Sequence, residues 1–504
     1  MLLIDSPTAI RLLLERVPPA LKEAARFRSR VWTGPDVLLP DRFAIHLSAS
    51  LRYMFYKRPD EQIVTSAWHD FKDRLRWNVH FEQERLAFPD VPDIDYDPDY
   101  RVIKPRKEFS GRTPAYIEAG LKAGDNYVDN YVKNVVPALK TQSKGLGLVW
   151  IDSLKSYLEE NEYLVSATDK NLGVCVISKK WFIENTTKLW NDPLNYRKLS
   201  PAERQMLLER KERQVKEAAQ AAEDLGKLQL AEFLLSKIPD DEHAESNVPV
   251  FYGIPKVHKT PVKMRPIVPC HSNAQSPAAS FVSKQLKPLV EACPYVLKGS
   301  KDLARRLNEL ELSMYRKPWI VSGDIVAYYP NIPLAKCLSI VANRCKTAFA
   351  DTMTAEERHL FFLCYFLANK GLIIDFNGES SEQIRGLAMG IACSPDLANL
   401  YGAHFEEKVF EDPLMNYHIP FYGRYLDDVL AIVYAPDRAS ALALAHKIKF
   451  DDVEIEWNVS EWNTPFLDMF VYLDPQDGQV HHKPYSKPLN HKERIPWASH
   501  HPKD

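Results

Sequence analysis

Apolar and polar positions follow two different periods along the chain. Residues 8–31 repeat apolar side chains at helical spacing, which predicts a helix and, over residues 1–87, a mainly helical N-terminal region. After about residue 245, short apolar runs of strand length alternate with helical stretches. This alternation predicts a mixed α+β core.

One long helix has a clear start. Ser200 is a predicted N-cap, Pro201 occupies the first helical position, and Glu203 completes a capping box. The charged run that follows predicts a helix to about Leu235 with its charges on a solvated face.

The stretch from residue 88 to 115 is dense in Pro, Asp and Gly, which disfavours regular elements. It therefore predicts an exposed connector between the N-terminal region and the rest of the chain.

Composition and charge restrict the possible partners and compartments. In 504 residues, 65 Lys and Arg face 67 Asp and Glu, so a polyanion must be held by a local basic surface. The seven cysteines form no C-x-x-C pair, which argues against a disulfide framework or a structural zinc site and fits an intracellular compartment. No apolar run approaches the ~20 residues of a membrane span, and the start of the chain does not resemble a secretion signal.

Two separated segments carry carboxylates at the ends of predicted strands. The apolar run from Trp319 to Val326 reads as a buried strand interrupted only by Asp324. About a hundred residues later, two apolar runs flank Asp427 and Asp428, which predicts a hairpin with both acids at its tip. An Asp-Asp pair is also compatible with an ordinary solvated turn, because Asp favours turns.

Three converging carboxylates repel one another and raise each other's pKa unless cations lie between them. Oxygen ligands of this kind suit Mg²⁺, with Mn²⁺ as a substitute, and two ions ~3.5–4 Å apart support in-line nucleotidyl transfer. A single Asp followed downstream by a hairpin Asp-Asp is the arrangement of template-directed polymerases.

Tyr329 lies five residues after Asp324, where a turn off the strand places its ring beside an incoming sugar. A ring there blocks a 2′-hydroxyl group. A core aromatic beneath the strand is the alternative, and Tyr328 is expected to be core.

A loop and a helix start lie between the two acidic segments. Gly386 and Gly390 allow close backbone approach to a base pair, and Gln383 opens the loop. Ser394 as N-cap and Pro395 then predict the start of a helix.

A local excess of cations precedes Asp324. Two short predicted strands form a finger-like hairpin in which Arg265 can clamp a triphosphate bidentately and Lys256 can supply a point charge. A solvated charged face is the alternative. Between residues 251 and 306 the Lys and Arg positions are Lys256, Lys259, Lys263, Arg265, Lys284, Lys287, Lys298, Lys301, Arg305 and Arg306.

The order of these motifs resembles the reverse transcriptases of Penelope-like retroelements, a family similar to telomerase catalytic subunits. The resemblance covers about residues 160–502. The segments that carry it are Asp169–Ile177, Tyr252–Lys259, Arg265–Ile267, Asp324–Ile332, Met389–Gly390 with Ser394–Pro395, Tyr425–Asp428, Pro465–Asp468 and Ser499–Pro502.

The resemblance implies a role for each matching residue. Asp324, Asp427 and Asp428 become the catalytic, metal-binding set. The implied nucleotide contacts are Lys256, Arg265, Tyr329, Gln383 and Gly386, and the implied nucleic-acid contacts are Lys170, Lys259, Lys263 and Gly390. Asp468 looks like a structural carboxylate at a strand end.

The resemblance also implies a right-hand polymerase fold, with fingers and a palm of antiparallel sheet and packed helices. Residues 116–300 would form an N-terminal extension and the fingers, 301–475 the palm, and 476–504 the start of a truncated, largely missing thumb. Residues 391–393 depart from the family motif, and relatives continue past the Ser-His-His-Pro segment into a thumb and often a nuclease. A fragment, a truncated gene copy and a protein whose thumb or nuclease is supplied by a second chain are the alternatives.

The expected activity is RNA-directed DNA synthesis, with an RNA template, a DNA primer and deoxynucleoside triphosphates as partners and no membrane. Nuclear localisation follows from the resemblance alone. An RNA-directed RNA polymerase and a nucleic-acid-binding remnant without activity are the alternatives.

Overall fold

The protein is represented by a computed structural model that describes residues 31–50, 61–87, 100, 109, 111–137, 146–239, 247–451 and 453–485. The helix expected over residues 8–31 lies outside the described residues except for Val31, and most of the connector at 88–115 and the segment 486–504 lie outside them too. The chain divides into two compact units.

The first unit comprises Met1–Ile183, Pro255–Val262 and Lys492–Asp504. Its regular elements are β1 (Val31–Thr33), α1 (Asp41–Ser50), α2 (Glu61–Ala87), α3 (Ala115–Asn130) with a π-helical continuation (Tyr131–Val135), α4 (Leu146–Glu160), β2 (Tyr163–Ala167), β3 (Val174–Ser178) and the start of α5 (Lys179–Trp190). Strand β3 lies between β1, which is parallel to it, and β2, which is antiparallel. All five residues of β3 are buried, as expected of a central apolar strand.

The second unit comprises Glu184–Ile254 and Lys263–His491. Its helices are α6 (Pro201–Asp224), α7 (Leu228–Leu235), α8 (Ser276–Glu291), α9 (Ser300–Asn308), α10 (Tyr328–Asn331), α11 (Leu334–Ala348), α12 (Ala355–Asn369), α13 (Ser394–Phe410), α14 (Pro413–His418) and α15 (Arg438–Ala445). Its strands are β4 (Tyr196–Leu199), β5 (Tyr252–Lys256, the last two residues of which belong to the first unit), β6 (Lys263–Ile267), β7 (Pro318–Ile325), β8 (Leu372–Phe376), β9 (Glu379–Gln383), β10 (Phe421–Tyr425), β11 (Asp428–Tyr434), β12 (Ile455–Ser460), β13 (Asn463–Phe466), β14 (Met469–Leu473) and β15 (Val480–Pro484).

A four-stranded antiparallel sheet in the order β10-β11-β7-β12 is the centre of the second unit. The predicted strand around Asp324 and the predicted Asp-Asp hairpin are β7, β10 and β11 of this sheet. The apolar runs of β7 and β11 are buried because both faces of the sheet are covered. Three further sheets have the orders β13-β14-β15, β4-β9-β8 and β5-β6.

An apolar core covers one face of the four-stranded sheet. Ile320 of β7 and Leu430 of β11 pack in one cluster with Leu303 of α9 and Val471 of β14. The small sheet β13-β14-β15 therefore shares a core with the four-stranded sheet. Helix α13 is tied to β10 through Glu406, which accepts a hydrogen bond from Tyr422.

The helix predicted from Ser200 to about Leu235 starts where expected but is divided into two helices. Ser200 caps α6 and Glu203 completes the capping box. The prediction of one continuous helix is wrong, because α6 ends at Asp224 and a turn at Gly226 separates it from α7. The amide groups of Gly226 and Lys227 donate to the carbonyl groups of Glu223 and Ala222, which is the bond pattern of a Schellman turn.

The predicted N-cap of α13 is also wrong. Cys393 is the N-cap, Ser394 is already helical, and the hydroxyl of Ser394 is buried without a hydrogen-bond partner among the described residues. Cys393 and Ser394 are neighbours at the start of the helix. The sequence favours Ser394 because Ser is the stronger N-cap by propensity.

The α+β class is confirmed by these mixed helices and antiparallel sheets. All seven cysteines are buried and unpaired, as expected. No helix among the described residues is long and apolar enough to span a bilayer.

Candidate active site

The three predicted carboxylates lie at one end of the four-stranded sheet. The turn between β10 and β11 carries Leu426 and Asp427, and Asp428 begins β11. In the ladder between β11 and β7, Asp428 is directly opposite Asp324. The amide of Ile325 donates to the carbonyl of Asp427 at 2.9 Å, which ties the turn to the end of β7. The fold therefore brings Asp324, Asp427 and Asp428 together.

The side chains of these acids lie at the surface. Asp324 and Asp427 are exposed and Asp428 is half-buried. Directly opposed residues in an antiparallel pair have Cβ atoms about 4.5–5.5 Å apart on the same face, which fits Asp324 and Asp428. Repulsion between carboxylates favours separation of their oxygen atoms, and a divalent cation offsets that repulsion.

A fourth acidic residue, which sequence reasoning missed, extends this group. Glu456 of β12 is exposed and is opposite Asp324 on the other side of β7. Asp428, Asp324 and Glu456 thus form a row across three adjacent strands. Only the strand register reveals Glu456, because nothing in the sequence says that β12 pairs with β7.

Tyr328 and Tyr329 follow β7 in the short helix α10. Tyr328 is buried and its hydroxyl donates to the carbonyl of Ala398 at 2.7 Å, so the prediction of a core position is confirmed. Tyr329 is half-buried. The pKa of Tyr329 is raised to about 12, mainly by burial, with smaller contributions from the negative charges of Asp427 and Asp396. The Tyr329 hydroxyl is therefore within electrostatic reach of Asp427.

The glycine-bearing loop packs directly against Tyr329. The amide of Leu387 donates to the carbonyl of Tyr329 at 2.8 Å. Gly386 has a φ of 76°, and a Cβ atom there would lie 2.9 Å from the backbone of Pro330. Gly390 has a φ of 144°, and its Cβ would collide with the carbonyl of Val268, just past β6. Both glycines are thus required by backbone shape and by close approach.

Gln383 and Arg265 lie in strands that flank this loop. Gln383 ends β9, is buried, and donates from Nε2 to the carbonyl of Arg385 at 3.0 Å. This bond turns the side chain back onto its own loop. Arg265 is half-buried in β6, whose end meets the loop where the amide of Val268 donates to the carbonyl of Met389 at 3.3 Å.

Three of the predicted nucleic-acid and nucleotide contacts gather around one histidine of the first unit. Burial lowers the pKa of His258, and the positive charges of Lys170, Lys259 and Lys256 lower it further, against an opposing effect of Asp169. These lysines therefore lie close enough to His258 to act on it. Lys263, in contrast, belongs to β6 of the second unit.

Asp396 is a second acid that the sequence did not single out. It lies in the first turn of α13, is half-buried, and accepts a hydrogen bond from Ser283 at 2.6 Å. Burial raises the pKa of Asp396, and the Ser283 hydroxyl and the charge of Lys287 oppose that shift. An acid directly after Ser394 and Pro395 was a sequence signal that could have identified it.

A separate acidic group lies at the turn between β14 and β15. Ligand atoms of Asp474, Asp477 and His481 lie within 4.8 Å of one another, which holds for no other such group in the described part of the chain. The oxygen atoms of Asp324, Asp427 and Asp428 are thus more widely spaced. Nε2 of His481 and Oδ2 of Asp477 are 2.8 Å apart. The pKa of Asp477 is lowered mainly by the hydrogen bond from the backbone of Gln479 and then by the pairing with His481.

Comparison with known proteins gives structural likenesses at low sequence identity. No protein-family model matches the chain, and no curated protein matches it. Telomerase from Candida albicans in complex with the TWJ fragment of telomeric RNA is similar over 75% of this chain and 60% of that chain, with 10% identity and a TM-score of 0.45. Apo telomerase from Candida tropicalis is similar over 95% and 78%, with 8% identity and a TM-score of 0.44. The RNA-dependent RNA polymerase of BmCPV at its elongation state is similar over 73% and 37%, with 10% identity and a TM-score of 0.35.

Proposed function

We propose that this chain is an RNA-directed DNA polymerase of the Penelope-like kind. It would extend the 3′-hydroxyl of a primer on an RNA template with deoxynucleoside triphosphates. The observation that carries the proposal is the strand register that sets Asp428 opposite Asp324 with Asp427 at the adjoining turn.

The donor set fits the metal that this chemistry uses. Carboxylate oxygens are the ligands that Mg²⁺ prefers, and Asp324, Asp427 and Asp428 would hold two such ions, with Mn²⁺ as a substitute. Bound metal would lower the pKa of the primer hydroxyl and neutralise charge on the leaving pyrophosphate. The primer oxygen would attack the α-phosphorus, the bond to pyrophosphate would break, and the hydroxyl proton would pass to solvent water.

The remaining predicted residues would select and hold the nucleotide. Tyr329 would exclude a 2′-hydroxyl, since its ring lies near Asp427. Arg265 and Lys256 would neutralise triphosphate charge, and the loop at Gln383, Gly386 and Gly390 would contact the base pair through its backbone. Lys170, Lys259 and Lys263 would contact the phosphates of template or primer.

Substitution of Asp427 tests the proposal. We expect Asp427→Asn to reduce Mg²⁺-dependent extension of oligo(dT) on poly(rA) by about 100-fold or more, because one carboxylate ligand of the metal pair loses its charge. Asp474→Asn is the matched control, an acid-to-amide change at the other acidic group, and it should leave extension unchanged.

The outcomes separate the candidate functions. Retained activity in Asp427→Asn, or loss in Asp474→Asn alone, would contradict the assignment of the carboxylates. Faster extension with ribonucleotides than with deoxynucleotides would indicate an RNA-directed RNA polymerase. Template binding without any extension would indicate a binding remnant.

A further inference from the structure

Arg424 is a fully buried cation directly before the Asp427 turn. It lies in β10, and neither its side chain nor that of its ion-pair partner Glu406 is exposed. Burial disfavours the charged guanidinium, but the charge of Glu406, the hydrogen bonds to it and the nearby Tyr328 and Tyr422 together outweigh that effect, so the pKa of Arg424 is raised. Neither Arg424 nor Glu406 has a role in the proposed reaction.

Every N–H group of the guanidinium has an acceptor. Nε and Nη2 donate to the carboxylate of Glu406 at 2.6 and 3.1 Å. Nη1 donates to the side-chain oxygen of Asn399 at 3.0 Å and to the carbonyl of Leu426 at 3.2 Å, and Nη2 also donates to the carbonyl of Asn399 at 2.9 Å. Arginine offers five such donors in a fixed plane, so the geometry of this site is fully determined.

The bond to Leu426 reaches the turn that carries the catalytic acids. Leu426 has a φ of 54°, in the left-handed region that residues with a side chain adopt at a cost in energy. Its carbonyl belongs to the peptide bond that continues into Asp427. The guanidinium therefore holds a strained turn in place from beneath, one residue before the first carboxylate of the pair.

All the other bonds of the guanidinium go to α13, which begins at the glycine-bearing loop. Asn399 and Glu406 both belong to α13. Gly402 of the same helix leaves the necessary space, because a Cβ atom there would lie 2.6 Å from Nη2 of Arg424 and 2.8 Å from the hydroxyl of Tyr328. Arg424 thus joins the Asp427 turn to the helix behind the loop.

We propose that Arg424 is a positioning residue that fixes the Asp427–Asp428 turn relative to α13, so that the carboxylates are preorganised for a metal pair. The inference rests on the proposed function. Arg424 does not contact substrate, and it acts only through Leu426 and α13. Groups that orient metal ligands from outside typically contribute 10–100-fold to metal affinity or activity.

Arg424→Lys tests this role because lysine retains the charge and lacks the planar fork. We expect Mn²⁺ binding, followed by the electron paramagnetic resonance signal of the free ion, to weaken about tenfold. The metal concentration for half-maximal extension should rise by the same factor, while the affinity for primer–template in filter binding stays unchanged. A residue that serves only stability would not shift metal affinity while the protein remains folded.

Arg344→Lys is the matched control. Arg344 of α11 pairs with Glu407 of α13, the neighbour of Glu406, at 2.8 Å, and it has no bond to the turn. This variant should bind Mn²⁺ as the wild type does. Where Arg424→Lys lacks a cooperative unfolding transition, Asn399→Ala replaces it, with an expected weakening of about threefold from the loss of one hydrogen bond.

Different results would contradict the positioning role of Arg424 and the metal assignment of the carboxylates. Unchanged Mn²⁺ affinity in a folded Arg424→Lys or Asn399→Ala variant, or equal weakening in Arg344→Lys, would overturn the positioning role alone. Equal Mn²⁺ binding by wild type and Asp427→Asn would overturn the metal assignment and the positioning role together.

Discussion

Tyr328 and Tyr329 are neighbours in sequence with different environments. Tyr328 is bound to α13 through its hydroxyl and is buried, whereas Tyr329 is half-buried and lies near Asp427. The carbonyl of Tyr329 is fixed by the amide of Leu387. The backbone of Tyr329 is therefore fixed, and its hydroxyl lies within electrostatic reach of Asp427, as the proposed sugar gate requires.

We expect Tyr329→Ala to raise ribonucleotide incorporation relative to deoxynucleotide incorporation by about tenfold, or ~1.4 kcal/mol in transition-state energy. The reason is the removal of the ring that collides with a 2′-hydroxyl. The measurement is the ratio of kcat/KM for the two nucleotide types in primer extension. Tyr329→Phe retains the ring and should retain the selectivity, so equal ratios in the Ala and Phe variants would argue for a plain core aromatic.

Among the helices and strands, α6 is unusual because it carries a buried lysine, Lys211. Lys211 is buried in the middle of this helix, and its ammonium group donates to the carbonyl groups of Leu367, at 2.9 Å, and of Lys370 at the end of α12. A cation at a helix C-terminus is favourable. Burial nevertheless lowers the pKa of Lys211 to about 7, with a further contribution from Arg210 and an opposing one from Glu382.

This lowered pKa gives a stability change with a defined sign. Between about pH 7 and the ordinary lysine value of about 10.4, the unfolded chain holds a proton at Lys211 that the folded chain has lost. The free energy of unfolding should therefore rise with pH in this window, by at most about 1.4 kcal/mol per pH unit from this group. Urea unfolding of wild type and Lys211→Met at pH 7, 8 and 9 measures the difference, and parallel pH profiles would contradict the assignment.

The strands and helix ends also show which features of the fold the sequence predicts. Apolar runs of strand length identify β7, β10 and β11 and the turn with Asp427, because a central strand needs apolar residues on both faces. The same reasoning cannot set the register, so Glu456 was missed. Ends of helices depend on single turns, which explains the wrong course after Asp224 and the wrong N-cap at Ser394.

Buried polar networks are the least predictable part of the site. An arginine is expected at the surface because charged residues are rarely fully buried, and nothing in the sequence connects Arg424 with Glu406 eighteen residues earlier. Only the packing of α13 against β10 brings them together. The acids of the site follow from local patterns, whereas the group that orients them follows from tertiary structure.

At the scale of the whole molecule, a net charge of −2 excludes a general attraction to nucleic acid. Cations instead lie together locally: Lys170, Lys256 and Lys259 are close enough to His258 to lower its pKa alongside the effect of burial. If the proposed phosphate contacts form, they release condensed counterions, and the affinity for nucleic acid is then expected to depend steeply on salt. The number of lysines in this cluster therefore predicts how steeply the affinity of the protein for nucleic acid falls with salt.

We expect the double variant Lys170→Gln with Lys259→Gln to lower the slope of log K against log salt by roughly 1.5, since each phosphate contact contributes about 0.7 for single strands and 0.9 for duplexes. The affinity for different template sequences should fall uniformly, because phosphate contacts carry no sequence information. Filter binding from 50 to 300 mM salt measures the slope, and the exposed lysines Lys346 and Lys408 of α11 and α13, changed to Gln together, provide the control. The pKa of His258, followed by NMR, should rise in the double variant as two neighbouring cations are removed. A raised His258 pKa with an unaltered salt slope would mean that the cluster exists as described and that the nucleic acid binds elsewhere.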